Sequence, residues 1–314
     1  MCIRDSYYIP SKQESLACKR KRIVEGFDYS VEDLKALETE YNTFLDEFGR
    51  NKTTANILVE LADLEAFYLN DLGKATAILD EVIAFPGINP ATQADGKIKL
   101  ADYYLMQGEI WEATLLYSQV DKAFKDDILG HEARFRNARL SYYAGDFQWA
   151  QTQFKVLKRS TSKLIANDAL DLAVFITDNL GLDSTETSLK LYSEADLLVF
   201  QNRFDEAFIK LDSLITEFPD HSLQDDVKYM KAQIYKKQKD WDSTVAMYED
   251  IIENHVEEIR ADNALFELAD LQETQLNNPT RAQELYEKIF IDFSNSTFAV
   301  EARKRFRKLR GDNI

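Results

Sequence analysis

The residues of this 314-residue chain that could do chemistry are three histidines, two cysteines and 55 carboxylates. His131, His221 and His255 stand far apart, and none has a partner at the spacing a helix-borne zinc site such as HExxH requires. Cys2 and Cys18 both fall near the start, too few for a disulfide framework or a cysteine zinc site. No glycine-rich phosphate loop occurs, and no GxSxG elbow. The carboxylate pairs Asp126/Asp127 and Asp225/Asp226 stand where helices are expected to begin, and the helix dipole accounts for them without catalysis. With no nucleophile, base and orienting partner in view, the sequence reads as non-catalytic, with no cofactor and no metal.

What recurs instead is a set of residues suited to binding, carried on repeated helix pairs. A small residue returns in similar contexts at Ala62 (LADLEAFYL), Ala101 (LADYYLMQG), Ala138 (NARLSYYAG), Ala195 (EADLLVFQN), Ala232 (KAQIYKKQK) and Ala269 (LADLQETQL). The steps are 39, 37, 57, 37 and 37 residues. A second series, Ala75, Ala113, Ala150, Ala207, Thr244 and Ala282, is followed four residues on by Leu79, Tyr117, Phe154, Leu211, Tyr248 and Tyr286. Small residues let helices approach, and a large residue one turn later fills the next groove. The clearest unit runs from Leu189 to Phe218, turns at Asn202-Arg203 and is closed by Pro219. Periods in the thirties indicate stacked helix pairs.

This spacing of small, aromatic and small residues resembles the tetratricopeptide repeat (TPR) over about residues 30–310. The segments FPDHSLQDDVKYMKAQIY and FSNSTFAVEARKRF are similar to the bacterial subgroup found in envelope-assembly and lipoprotein scaffolds. The units are slightly longer than the usual 34 residues, and one step is too long. The resemblance implies an all-α, right-handed α-solenoid of TPR-like helix pairs that works as a protein–protein interaction scaffold.

In such a stack the first helix of each pair lines the concave side. Three residues before the small residue stand Val59, Ile98, Phe135, Tyr192, Tyr229 and Phe266. Directly after it stand Asp63, Asp102, Arg139, Asp196, Gln233 and Asp270, and four after it Ala66, Leu105, Tyr142, Val199, Lys236 and Glu273. The expected groove therefore sets a ladder of aromatics beside a ladder of mainly Asp. It lacks the Lys, Arg and Asn clamp with which related proteins hold acidic C-terminal peptides, and it would favour a basic peptide or helix segment of another protein. The competing reading is that the aromatics pack between helices and the Asp residues form a solvated face.

Composition agrees with helices joined by short turns: 45% of residues are hydrophobic, with only 10 Gly and 5 Pro. The formal charge of −17 argues against a general nucleic-acid binder and against adhesion to anionic membranes. No run of 18 apolar residues occurs, so no membrane span is expected. The opening MCIRDS is not a signal peptide and shares no pattern with the rest of the chain. The chain is therefore expected to be a fragment, with the compartment, cytoplasmic or periplasmic, left open.

Along the chain, residues 1–29 form an N-terminal segment, a partial repeat or a linker. Its run Lys19-Arg20-Lys21-Arg22 is either a polyanion contact or a solvated helix face. Ser30 and Asp33 form a near capping box for a helix that looks like the second half of a repeat whose first half is degenerate or absent. A first array spans 30–160. The 57-residue step equals 37 plus 20, which leaves room for one extra helix near 163–180, stopped by Gly181, with Asp183 or Ser184 capping the next. Segment 161–186 is thus an expected junction where the superhelix changes direction. A second array spans 187–314 and ends in a basic helix with Arg303, Lys304, Arg305, Arg307, Lys308 and Arg310, either a polyanion site or a solubilising cap. The alternative to a groove-binding scaffold is a structural subunit of a bacterial cell-envelope complex, joined through its convex or edge surface. Exposed apolar residues on the outer ridges would mark it.

Overall fold

The computed structural model describes residues 3–26, 29–158, 160, 162–180, 186–258 and 260–312, with side chains of the first helix from Tyr8 to Ile23. Sixteen helices and no strand occur among them. They are α1 (Ile3–Gly26), α2 (Val31–Phe48), α3 (Ala55–Phe67), α4 (Leu72–Ala84), α5 (Pro90–Gln107) and α6 (Ile110–Ala123). Next come α7 (Ile128–Tyr143), α8 (Phe147–Leu157), α9 (Lys163–Asn179), α10 (Thr187–Phe200) and α11 (Phe204–Glu217). The last five are α12 (Gln224–Lys237), α13 (Trp241–Asn254), α14 (Ala261–Thr274), α15 (Pro279–Asp292) and α16 (Ala299–Arg310). Pairs pack as the small-residue series requires: Ala62, Ala75, Ala101, Ala113, Ala195, Ala207, Ala232, Ala269 and Ala282 are all wholly buried.

The turn inside each pair is built the same way. Asn70, Gly108, Gly145, Asn202, Lys239 and Asn277 all take positive φ, between 48° and 86°. The next N–H reaches back to a carbonyl of the first helix, as in Glu109 to Tyr104 and Asp240 to Tyr235, which closes the helix end in a Schellman-type turn. Asp71, Asp146, Asp240 and Asn278 then cap the second helix, each accepting from the backbone N–H three residues on.

Two compact units result: Met1–Tyr142 with Asp146–Val174, and Tyr143–Gly145 with Phe175–Ile314; the division falls within α9. In the first, α1 occupies the place of the half-repeat expected to be degenerate or absent. It is a 24-residue helix that packs along α2, with Tyr8 against Phe48 and Lys12 and Lys19 paired to Glu47 and Glu40. Ser30 and Asp33 form the full reciprocal capping box of α2. In the second, Tyr248, Ile251, Leu265, Leu268, Leu285, Tyr286 and Ile289 form a core closed by Ala302 and Phe306 of α16. Within units the first helices also meet each other, α3 with α5 and α10 with α12. The expected stop at Gly181 and the caps at Asp183 or Ser184 lie outside the described residues, as do Met1 and Cys2.

Candidate partner-binding face

The twelve residues expected to line a groove divide into those locked inside the packing and those left at the surface. Asp63 and Asp102 are 5% and 7% exposed. Asp63 accepts from the Tyr103 hydroxyl at 2.7 Å and from Lys99 at 2.7 Å, with Arg20 of α1 at 3.5 Å. Asp102 accepts from the Tyr117 hydroxyl and from Arg136 of α7. The two carboxylates are therefore already engaged. Each joins its own first helix to a cation on the next first helix and to a tyrosine, so together they form a polar seam across α3, α5, α6 and α7.

The electrostatics fit that role. Burial, with Asp63 alongside, pushes the Tyr103 hydroxyl far above its ordinary value, so it stays a donor. Burial works against the Arg136 charge, but Asp102 and Glu132 more than offset it and its pKa rises. Such a pair is costly to break from one side, because the remaining charge is left without its partner.

Tyr142 and Tyr192 are buried as well. Tyr142 packs on Phe147, and Tyr192 packs on Phe175 beside the Asp226–Arg260 pair. The other eight are half-buried. In the first unit, Phe135 rests on Phe154, and Arg139 lies close enough to Asp168 to counter the rise that burial imposes on that carboxyl. In the second, Tyr229 packs on Tyr248 and carries the Arg260 guanidinium over its ring at 5.1 Å. Gln233 donates to the Tyr248 hydroxyl at 2.8 Å. Phe266 stacks on Phe298 at 4.7 Å, Lys236 pairs with Glu267, and Asp270 pairs with Arg305 at 3.1 Å. Asp196 sits half-exposed on α10.

Sequence reasoning missed the counter-charges. They sit one repeat later: Glu38 with Lys74, Asp63 with Lys99, Asp102 with Arg136, Asp226 with Arg260 and Asp270 with Arg305. The separation of 34 to 36 residues is the signal that could have exposed them. In the basic terminal helix Arg305 follows this rule, and Arg307 and Arg310 pair locally. Arg305 is tied to Asp270 and Glu273, and Arg307 and Arg310 to Asp312.

The histidines are not brought together. The His131 ring meets Ser160, His221 meets Ser188, and His255 accepts from Lys228. Among the described residues no group of three His, Cys, Asp or Glu side chains could hold a metal ion, and no helix is long and apolar enough to cross a membrane.

A family model for the tetratricopeptide repeat matches residues 226–257, which span α12 and α13. The same pair geometry, with its left-handed turn and its small residues, is repeated before and after that match. Residues 226–257 form a tetratricopeptide repeat, and the helix pairs on either side of it are TPR-like. Among solved structures, a TPR protein from Parabacteroides merdae ATCC 43184 is similar at 16% identity and a TM-score of 0.38, covering 95% of this chain and 98% of that one. The TPR domain of P58(IPK) is similar at 15% identity and a TM-score of 0.32, covering 96% of this chain and 80% of that one. No curated protein matches the chain. TPR arrays are, as a class, scaffolds that bind other proteins.

Proposed function

We propose that this TPR protein is a non-catalytic scaffold that holds a segment of another protein against its first-helix face. In the second unit the contact residues are Asp196, Tyr229, Gln233, Lys236, Phe266 and Asp270; in the first they are Phe135 and Arg139. Asp63, Asp102, Tyr142 and Tyr192 hold that face in shape from beneath. The observation that carries this reading is the bracing of the accessible side chains. Gln233 is fixed by Tyr248, Tyr229 by Arg260, and Phe266 by Phe298. A surface ordered before binding loses less entropy on association.

The partner segment is basic, extended or helical, because the chain's net charge of −17 and the half-exposed carboxylates Asp196, Glu267 and Asp270 disfavour an acidic one. The test is capture from the source lysate by wild type and by D196K/D270K. Both positions lie at the surface rather than in the buried seam. Loss of a specific partner with unchanged melting supports the reading. Undiminished capture of the same partner overturns it.

A further inference from the structure

Two second helices of the first unit, α6 and α8, each expose an apolar stripe that ends in lysine. On α6 the residues Trp111, Leu115, Ser118 and Lys122 are all exposed and succeed one another at three and four residues, so they form one stripe. On α8 the residues Trp149, Thr152 and Val156 form the matching stripe, with Lys155 and Lys158 at its end. Trp111 is 84% exposed and Trp149 56%. Neither helix lacks a core. Ala113, Tyr117 and Val120 bury the opposite face of α6, and Phe147, Ala150, Phe154 and Leu157 that of α8. Both helices are anchored to α7, through Arg134–Asp121 and Phe135–Phe154.

The charge on these stripes runs against that of the chain. From Phe147 to Asn167 there is no carboxylate and there are four cations, Lys155, Lys158, Arg159 and Lys163, in a protein of net charge −17. Lys155 donates to Gln151. Among the described residues no carboxylate pairs with Lys122, Lys155, Lys158 or Lys163, whereas Lys74, Lys99, Lys210, Lys231 and Lys236 are all paired. The matching stripes of the second unit carry more acid and no exposed tryptophan: Asp205 and Asp212 are exposed on α11 beside Ile209, and Glu284 and Glu287 on α15 beside Ile291. The contrast lies between helices of one architecture, so it does not arise from the repeat itself.

We infer that the α6–α8 outer face is a second docking surface, separate from the first-helix face, and that its occupant is an acidic amphipathic segment of another protein. Exposed tryptophans provide large contact area at low entropic cost and are the residue type most often dominant in interfaces. The uncovered lysines at the C-terminal end of each stripe select carboxylates beside the apolar anchors and disfavour basic segments. An anionic membrane is the weaker fit, because the whole chain's negative charge opposes it.

The test begins by selecting a random 16-residue peptide display library on the full chain. The recovered peptides should be net acidic, with apolar residues at three- and four-residue spacing. Titrating a recovered peptide should shift the tryptophan emission to the blue, since Trp111 and Trp149 are two of the three tryptophans. Affinity should fall at least about tenfold in W111A/W149A and in K122E/K155E/K158E. All five positions are exposed, so far-ultraviolet circular dichroism and melting should not change. Peptides that are basic or neutral, or that bind the variants as well as wild type, overturn the inference. So does self-association seen by sedimentation and abolished by W111A/W149A, which would make a second copy the occupant. Binding to phosphatidylserine vesicles lost in the same variants would overturn it in favour of a membrane.

Discussion

Replacing Asp102 by alanine should loosen the middle of the first unit far more than the same change at Asp270. Asp102 is almost fully buried and accepts from both the Tyr117 hydroxyl and Arg136. Losing a charge-assisted hydrogen bond costs about 1.5–3 kcal/mol, and the Tyr117 hydroxyl loses its carboxylate acceptor as well. Arg136 keeps Glu132, and its side chain is about one-third exposed, so part of its charge rehydrates and the upper end is discounted. The expected cost is about 3 kcal/mol. Asp270→Ala should cost under about 1 kcal/mol, because Arg305 retains Glu273 and Glu301. Repeat arrays need not unfold as one unit, so the assay is local: hydrogen exchange by mass spectrometry on peptides from α5 to α7. In D102A these amides should exchange about 100-fold faster, which is what a loss of about 3 kcal/mol implies when opening is at equilibrium. The triple change D102L/R136M/Y117F, which removes the buried carboxylate together with both of its donors, should restore most of the protection. Equal, small effects of D102A and D270A would refute the idea that the Asp series braces the repeats.

Three further outcomes are expected from the structure. Burial, with Asp225 adjacent, raises Asp226 to about 6 despite Arg260, above its unfolded value of about 3.9. Its ionised form therefore destabilises the fold above about pH 6 and the penalty fades as pH falls towards 4, so the stability of D226N relative to wild type in urea unfolding should fall by about 1 kcal/mol from pH 8 to pH 5. Lys239 holds φ of 60° at a turn position where Gly108 and Gly145 stand elsewhere, and K239G should raise the urea midpoint by the equivalent of about 0.5–1 kcal/mol. A Cβ on Gly130 would lie 1.9 Å from the Phe124 carbonyl oxygen, so G130A should destabilise by about 2–3 kcal/mol, seen as faster exchange in α7.

The helix pairs were legible because burying one face forces a 3.6-residue period on each helix and the stacking forces a period near 37 on the chain. The unit expected from Leu189 to Phe218 with a turn at Asn202-Arg203 is the pair α10 and α11. The helix α1 was harder to read: with Pro10 inside it and a basic run at its end, its weak apolar stripe resembles a linker until α2 is placed beside it. The candidate face was only half legible. A lone Asp after Ala reads as a solvated residue on its own helix, and its burial depends on Lys99 or Arg136, which only stacking brings near. The exposed tryptophans could not be placed either, since an aromatic at a helix start reads as core until the buried face, here Phe147, Ala150, Phe154 and Leu157, is known to be full.

The central claim is that the accessible first-helix residues of the second unit meet the partner, while the second helices of that unit face away from it. A photo-crosslinking amino acid placed singly at Asp196 or Gln233, and for comparison at Glu253 or Glu284 on the second helices, tests this in the source lysate. Both comparison positions are exposed. A discrete crosslinked partner from Asp196 and Gln233, absent from Glu253 and Glu284, is the expected result. A partner crosslinked from Glu253 or Glu284 and not from Asp196 or Gln233 would contradict the account.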